Sequence, residues 1–186
     1  MEIVLSWDLL VIIFFTVILA YSLIIGRNQT IKVIISTYIA VLSADGIGNL
    51  VERYLIGQSP IMTLLGGFNV EQGLILIKIF IFIISIILIT THGKFDISMQ
   101  RPGSIITSIS MTLAYGFLCA GLIVSTVFIY ASGTSLLQAN DLIINNAMLS
   151  VYRESELVRI MINQYNVWFS LPAIAFVVSS FIGEEE

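Results

Sequence analysis

Two ionisable side chains lie inside stretches that otherwise read as membrane. Asp45 follows a run of small and apolar residues that begins at Ser36, and Lys78 sits a few residues into a run of Ile, Leu and Phe from Gly73 to Thr91. A carboxylate or ammonium at hydrocarbon depth requires a partner, a water-filled cavity or a change of protonation. With helix ends near Val51 and Gly73, both groups lie about 8 to 9 Å below the same surface, at roughly 1.5 Å per residue, so an Asp45–Lys78 pair forms if the two spans adjoin. Such a pair is either a structural ion pair or an ion- or proton-responsive site. In the alternative arrangement Lys78 snorkels to the outer surface and Asp45 reaches water.

Other reactive constellations are missing from the sequence. There is no Gly-rich phosphate loop, nucleophile elbow or His/Cys ligand cluster, so neither enzymatic activity nor a cofactor or metal is expected. His92 is the single histidine and falls at a helix end, and the lone Cys119 lies mid-segment as a small packing residue, which excludes an internal disulfide. Glu71, at the mouth of its span, favours the helix N-terminus electrostatically.

The elements that must position Asp45 and Lys78 follow from composition. Hydrophobic residues make up 58% of the 186-residue chain and charged residues 11%, with mean hydropathy +1.01, far from the roughly one-quarter charged content of a soluble domain. This is the composition of an all-α integral membrane protein. Four apolar spans are legible: Leu9 to Ile25, with Trp7 as an interface anchor, Ile31 to Val51, Gly73 to Thr91, and Ile105 to Ala131. Tight polar turns make them two hairpins, and a Gly-basic pair at each turn, Gly26-Arg27 and Gly93-Lys94, hints at a parallel duplication. Residues 57–69 read as a loop whose apolar middle touches lipid headgroups.

Small residues recur every fourth position on two spans: Ser36, Ala40, Ala44 and Gly48 on the second, and Ser108, Thr112, Gly116 and Ala120 on the fourth. Such faces permit close backbone approach, so the second and fourth spans are expected to pack on each other with the first and third outside. The chain then divides into a four-helix membrane unit, 1–131, and C-terminal helices, 132–186. In the latter, Leu137, Ile144, Met148, Val151, Val158, Ile162 and Tyr165 form one apolar face of an amphipathic helix of about 30 residues, lying on the membrane surface or docked on the spans. Val167 to Ile182 is apolar but interrupted by Ser170-Leu171-Pro172, which reads as the start of a short interfacial or half-inserted helix.

Arg27 and Lys32 follow the first span, and Lys94 and Arg101 the third. By the positive-inside rule these connectors are cytoplasmic, which places the N-terminus and the C-terminal helices outside. No basic face suggests nucleic acid.

The layout resembles the colicin V production (CvpA-like) family of bacterial inner-membrane proteins. Asp8 before the first span, the Gly26-Arg27 turn after it, four spans within about 130 residues and a following amphipathic segment carry the resemblance. It implies a plasma-membrane protein linked to toxin export and envelope upkeep. Two functions are therefore expected: a homo-oligomer that conducts or assists export, or a non-conducting scaffold whose outer helix organises lipid or recruits an envelope protein.

Overall fold

The computed structural model describes residues 6–56, 70–95, 97, 105–134 and 144–182, and every regular element among them is helical. The order is α1 (Trp7–Ile25), α2 (Arg27–Val51) ending in a π-helical turn (Glu52–Ile56), α3 (Val70–His92), α4 (Ile105–Ala131), α5 (Asn146–Glu154), α6 (Glu156–Asn163) and α7 (Tyr165–Ile182). Four of these, α1 to α4, are long and apolar enough to cross a membrane. The expected headgroup-touching loop at 57–69, Arg101 and Leu137 lie outside the described residues.

A single residue joins α1 to α2. Gly26 has φ 80° and ψ 172°, a backbone region that is essentially glycine's alone. Its N–H donates to the Ser22 carbonyl at 2.9 Å, and its own carbonyl accepts the Thr30 hydroxyl at 2.9 Å, so both sides of the joint are hydrogen-bonded. At the other end of α1, Ser6 caps the helix by accepting from the Leu9 N–H.

The inner pair is α2 and α4, with 61% and 67% of their apolar windows buried, against 11% for each of α1 and α3. The expectation that the first and third spans lie outside therefore agrees with the fold. The expected mating of the two small-residue faces does not. The most extensive contact of α2 is with α3 and that of α4 is with α1, while α2 and α4 touch less extensively in the centre.

The reason is steric. A small face is a recess, and bulky knobs from the outer helices fill it as well as a second backbone would. An added Cβ at Gly48 would fall 2.6 to 3.1 Å from the Lys78 stem, and one at Gly116 would meet Ser22 and Leu19 of α1. Ala40 and Ala44 form a buried cluster with Val41, Phe82 of α3 and Tyr130 of α4. Ser36, Ala120 and Thr112 are buried too, whereas Ser108 is only partly covered.

The C-terminal part departs from the sequence reading in two ways. First, the amphipathic stretch is not one helix. It breaks at Ser155, which caps α6 by accepting from the Val158 N–H, and again at Gln164. Its apolar face is turned inward rather than toward the membrane surface: Met148, Val151, Val158 and Ile162 are buried in one cluster with Val11 of α1 and Val124 and Phe128 of α4, and Ile144 packs on its edge. Tyr165 is partly exposed at the start of α7. Docking wins because the same stripe removes more apolar surface from water or headgroups against two spans than lying half-immersed. These helices share a core with residues 1–131 and do not form a separate unit.

Second, Pro172 does not begin the last helix. α7 runs through it from Tyr165 for 18 residues, about 27 Å at 1.5 Å per residue. Proline costs the turn one N–H donor, and tertiary contacts hold that turn in place. Trp168 packs against the Phe15–Phe117 pair, with ring centroids 6.1 and 5.6 Å away, and the Tyr38 hydroxyl donates to the Phe169 carbonyl. Further along, the Tyr115 hydroxyl lies 2.9 Å from the Ala175 carbonyl oxygen and 2.6 Å from Ser179 Oγ.

Because Trp168 sits at Gly121 and Ser179 at Tyr115, α7 runs antiparallel to α4 past its midpoint. It packs lengthwise on α4. With α6, from which it is bent by 63°, it forms a candidate fifth crossing.

Candidate functional site

Asp45 is completely buried, two turns before the end of α2. Three helices converge on it. From α4, Tyr130 reaches across so that its hydroxyl lies 3.2 Å from the Val41 carbonyl and also interacts with the Asp45 side chain. The Tyr130 ring is only 1% exposed and is braced edge-on by Phe82 of α3, centroids 5.8 Å apart. From α3, the stem of Lys78 crosses Gly48, one turn beyond Asp45, and Lys78 Nζ points to Asn49 Oδ1 at 3.4 Å.

Local sequence explains why this assembly forms. Asp45, Gly48 and Asn49 stand at i, i+3 and i+4 on one face of α2. Glycine at the middle position leaves room for four methylenes of lysine to lie flat on the helix, which removes apolar stem from the surroundings and directs the ammonium to Asn49.

The expected Asp45–Lys78 ion pair is not what the geometry gives: α2 and α3 do adjoin, but Lys78 Nζ points to Asn49 Oδ1 at 3.4 Å, one turn beyond Asp45, while Asp45 interacts with Tyr130. The two residues it missed are Asn49 and Tyr130. Asn49 had a signal, its i+4 spacing from Asp45. Tyr130 had none beyond being a phenol near the end of its span, because its approach depends on how α4 packs.

Other buried polar groups of the inner helices are hydrogen-bonded, some within their own helix and some across to a neighbouring element. The hydroxyls of Ser36, Thr37, Thr112 and Thr126 donate to carbonyls four residues earlier, at 2.7 to 2.8 Å. Ser125 donates to the Met161 carbonyl of α6 at 2.6 Å, which fastens α6 to α4. Lys32 of α2, buried at the opposite end from Asp45, donates to the Gly93 carbonyl at 2.8 Å and stands over the Phe95 ring at 5.1 Å.

Asp8 ties the two termini of the fold together. Its Oδ1 accepts from Ser155 Oγ at 2.6 Å and from the Leu157 N–H at 3.1 Å, a carboxylate set at the start of α6 where the helix dipole favours it. Asn145 does the same for α5: its Oδ1 accepts from the Met148 N–H and its Nδ2 donates to the Ala131 carbonyl. The start of α1 and helices α5 and α6 consequently share one end of the bundle, and Arg27, Lys32, His92 and Lys94 share the other. No family model, curated protein or solved structure matches the chain.

Proposed function

We propose that this chain is a non-conducting scaffold of a bacterial inner membrane, with its N-terminus and helices α5 and α6 on the outer side. The observation that carries this reading is the fate of the polar groups in the inner pair of helices. Ser36, Thr37, Thr112 and Thr126 turn back onto their own helices, and Asp45 is sealed under Tyr130 and Phe82. A conduction path needs polar groups facing a watered axis, whereas these four hydroxyls face the helix that carries them. The cluster of Asp45, Asn49, Lys78 and Tyr130 then acts as a lock that fixes the register of α2, α3 and α4.

Orientation rests on the gathering of Arg27, Lys32 and Lys94 at one end, which the positive-inside rule assigns to the cytoplasm. The resemblance to the colicin V production family supports an envelope role. The exposed face of α5 and α6, with Arg153, Glu154, Glu156 and Arg159, is the part offered to an envelope partner or a second copy.

The test is flux in proteoliposomes carrying a trapped pH dye, with a potassium gradient and valinomycin as the driving force. Wild type and Asp45→Asn should both match protein-free vesicles. Proton entry through the wild type that Asp45→Asn abolishes would overturn the reading in favour of a conducting assembly.

A further inference from the structure

An apolar cavity of about 250 Å³ lies between α1 and α3, floored by α2 and α4; Tyr21, Ile25, Val33, Ile87, Thr90 and Cys119 contribute to its wall. It opens outward, because Tyr21 and Ile87 on its rim are each about half exposed. Water gains few partners in so apolar a space, and the neighbouring surfaces of α1 and α3 face the membrane interior. An acyl chain fits both facts.

The charge around the mouth says which lipid. Ile25 precedes the joint that leads to Arg27, and Thr90 stands one turn before Gly93 and Lys94, whose backbone Lys32 engages. Asp8, Asp45, Glu52, Glu154 and Glu156 of the described helices are carried toward the other end of the bundle, and Asp96 lies outside the described residues. Thr90 adds a polar group near the mouth: its Oγ1 is buried with no hydrogen-bond partner among the described residues, two residues before the end of α3 at His92.

We infer that this recess binds one anionic phospholipid, with an acyl chain in the cavity, the ester region at Thr90 and the phosphate beside Lys94. Basic pockets between spans are the usual receptors of such headgroups. The inference does not depend on whether the protein conducts.

Native mass spectrometry of the full chain, released from nanodiscs of mixed phosphatidylglycerol and phosphatidylcholine, tests it. One phosphatidylglycerol per chain should be retained in preference to phosphatidylcholine. Lys94→Gln, at an exposed position, should weaken phosphatidylglycerol about fivefold, as expected for one basic residue near a lipid surface. Ile87→Trp, which fills the recess from its exposed rim, should release the lipid whatever its headgroup. Inorganic phosphate at millimolar concentration should not compete. Equal retention of the two lipids, retention undiminished in both variants, or displacement by phosphate alone would each overturn the inference.

Discussion

Replacing Gly121 by alanine should unseat α7 from α4. An added Cβ would fall 2.0, 2.3 and 2.8 Å from three carbons of the Trp168 indole, so the ring must retreat by about 1.5 Å to reach ordinary carbon–carbon contact. It has little room. Phe15 and Phe117, 5.5 Å apart by centroid, both pack against the ring, and the indole N–H, buried with no partner among the described residues, cannot trade one hydrogen bond for another. Overpacking of this kind costs about 1 to 3 kcal/mol, partly offset by the roughly 0.5 to 1 kcal/mol gained when glycine leaves a helix interior. The net loss, up to about 2.5 kcal/mol, corresponds to a fall of up to about 10 °C in unfolding midpoint for a chain of this size. The assay is thermal unfolding in micelles in a Trp7→Phe background, where Trp168 becomes the sole tryptophan, with its quenching by brominated lipid as a local readout. Gly46→Ala is the control: nothing lies within 4 Å of its added Cβ, so it should keep the helix gain and raise the midpoint. If Gly121→Ala is as stable as Gly46→Ala and Trp168 is quenched as in the parent, α7 is not seated on α4 and the fold argued here fails.

Tyr130→Phe keeps the buried ring but removes the hydroxyl from Val41 and Asp45, and should destabilise by about 0.5 to 3 kcal/mol, the range for losing one buried hydrogen bond. A double-mutant cycle with Asp45→Asn should be strongly non-additive, and simple additivity would show that the two side chains are not coupled. Asp8→Ala should leave the four long helices intact while the Leu157 and Val158 amides exchange faster, measured by hydrogen–deuterium exchange; unchanged protection there would mean that α6 is held by its apolar face alone. Vesicle flux and lipid retention, with the variants given above, complete the set.

How far the chain could be read without coordinates depended on whether the signal was local. Membrane character and the four long helices follow from runs of apolar residues longer than a hydrocarbon core, and the bounds agree to within a few residues. A tight turn after Ile25 was legible, but not that Gly26 alone makes it: residues 27–30, which read as connector, are the first turn of α2. Asp45 and Lys78 were found because an ionisable residue stands out against an apolar background, and helix pitch gave their common depth.

Partner choice was not legible. The small faces of α2 and α4 showed that something packs closely there, but a recess at Gly48 or Gly116 is filled equally well by a backbone or by Lys78 and Leu19. Which one fills it is settled by the volumes of all the helices together. Likewise the stripe through Met148, Val158 and Ile162 fixed an apolar face without saying what covers it, and Pro172 looked like a helix start because the bonds holding that turn come from Tyr38 and Tyr115, some 130 and 60 positions away. Sequence by itself determined the solvent each segment seeks and the pitch at which its groups recur. Only the tertiary structure decided which surfaces meet, since packing is a competition among all faces at once and no single segment carries its outcome.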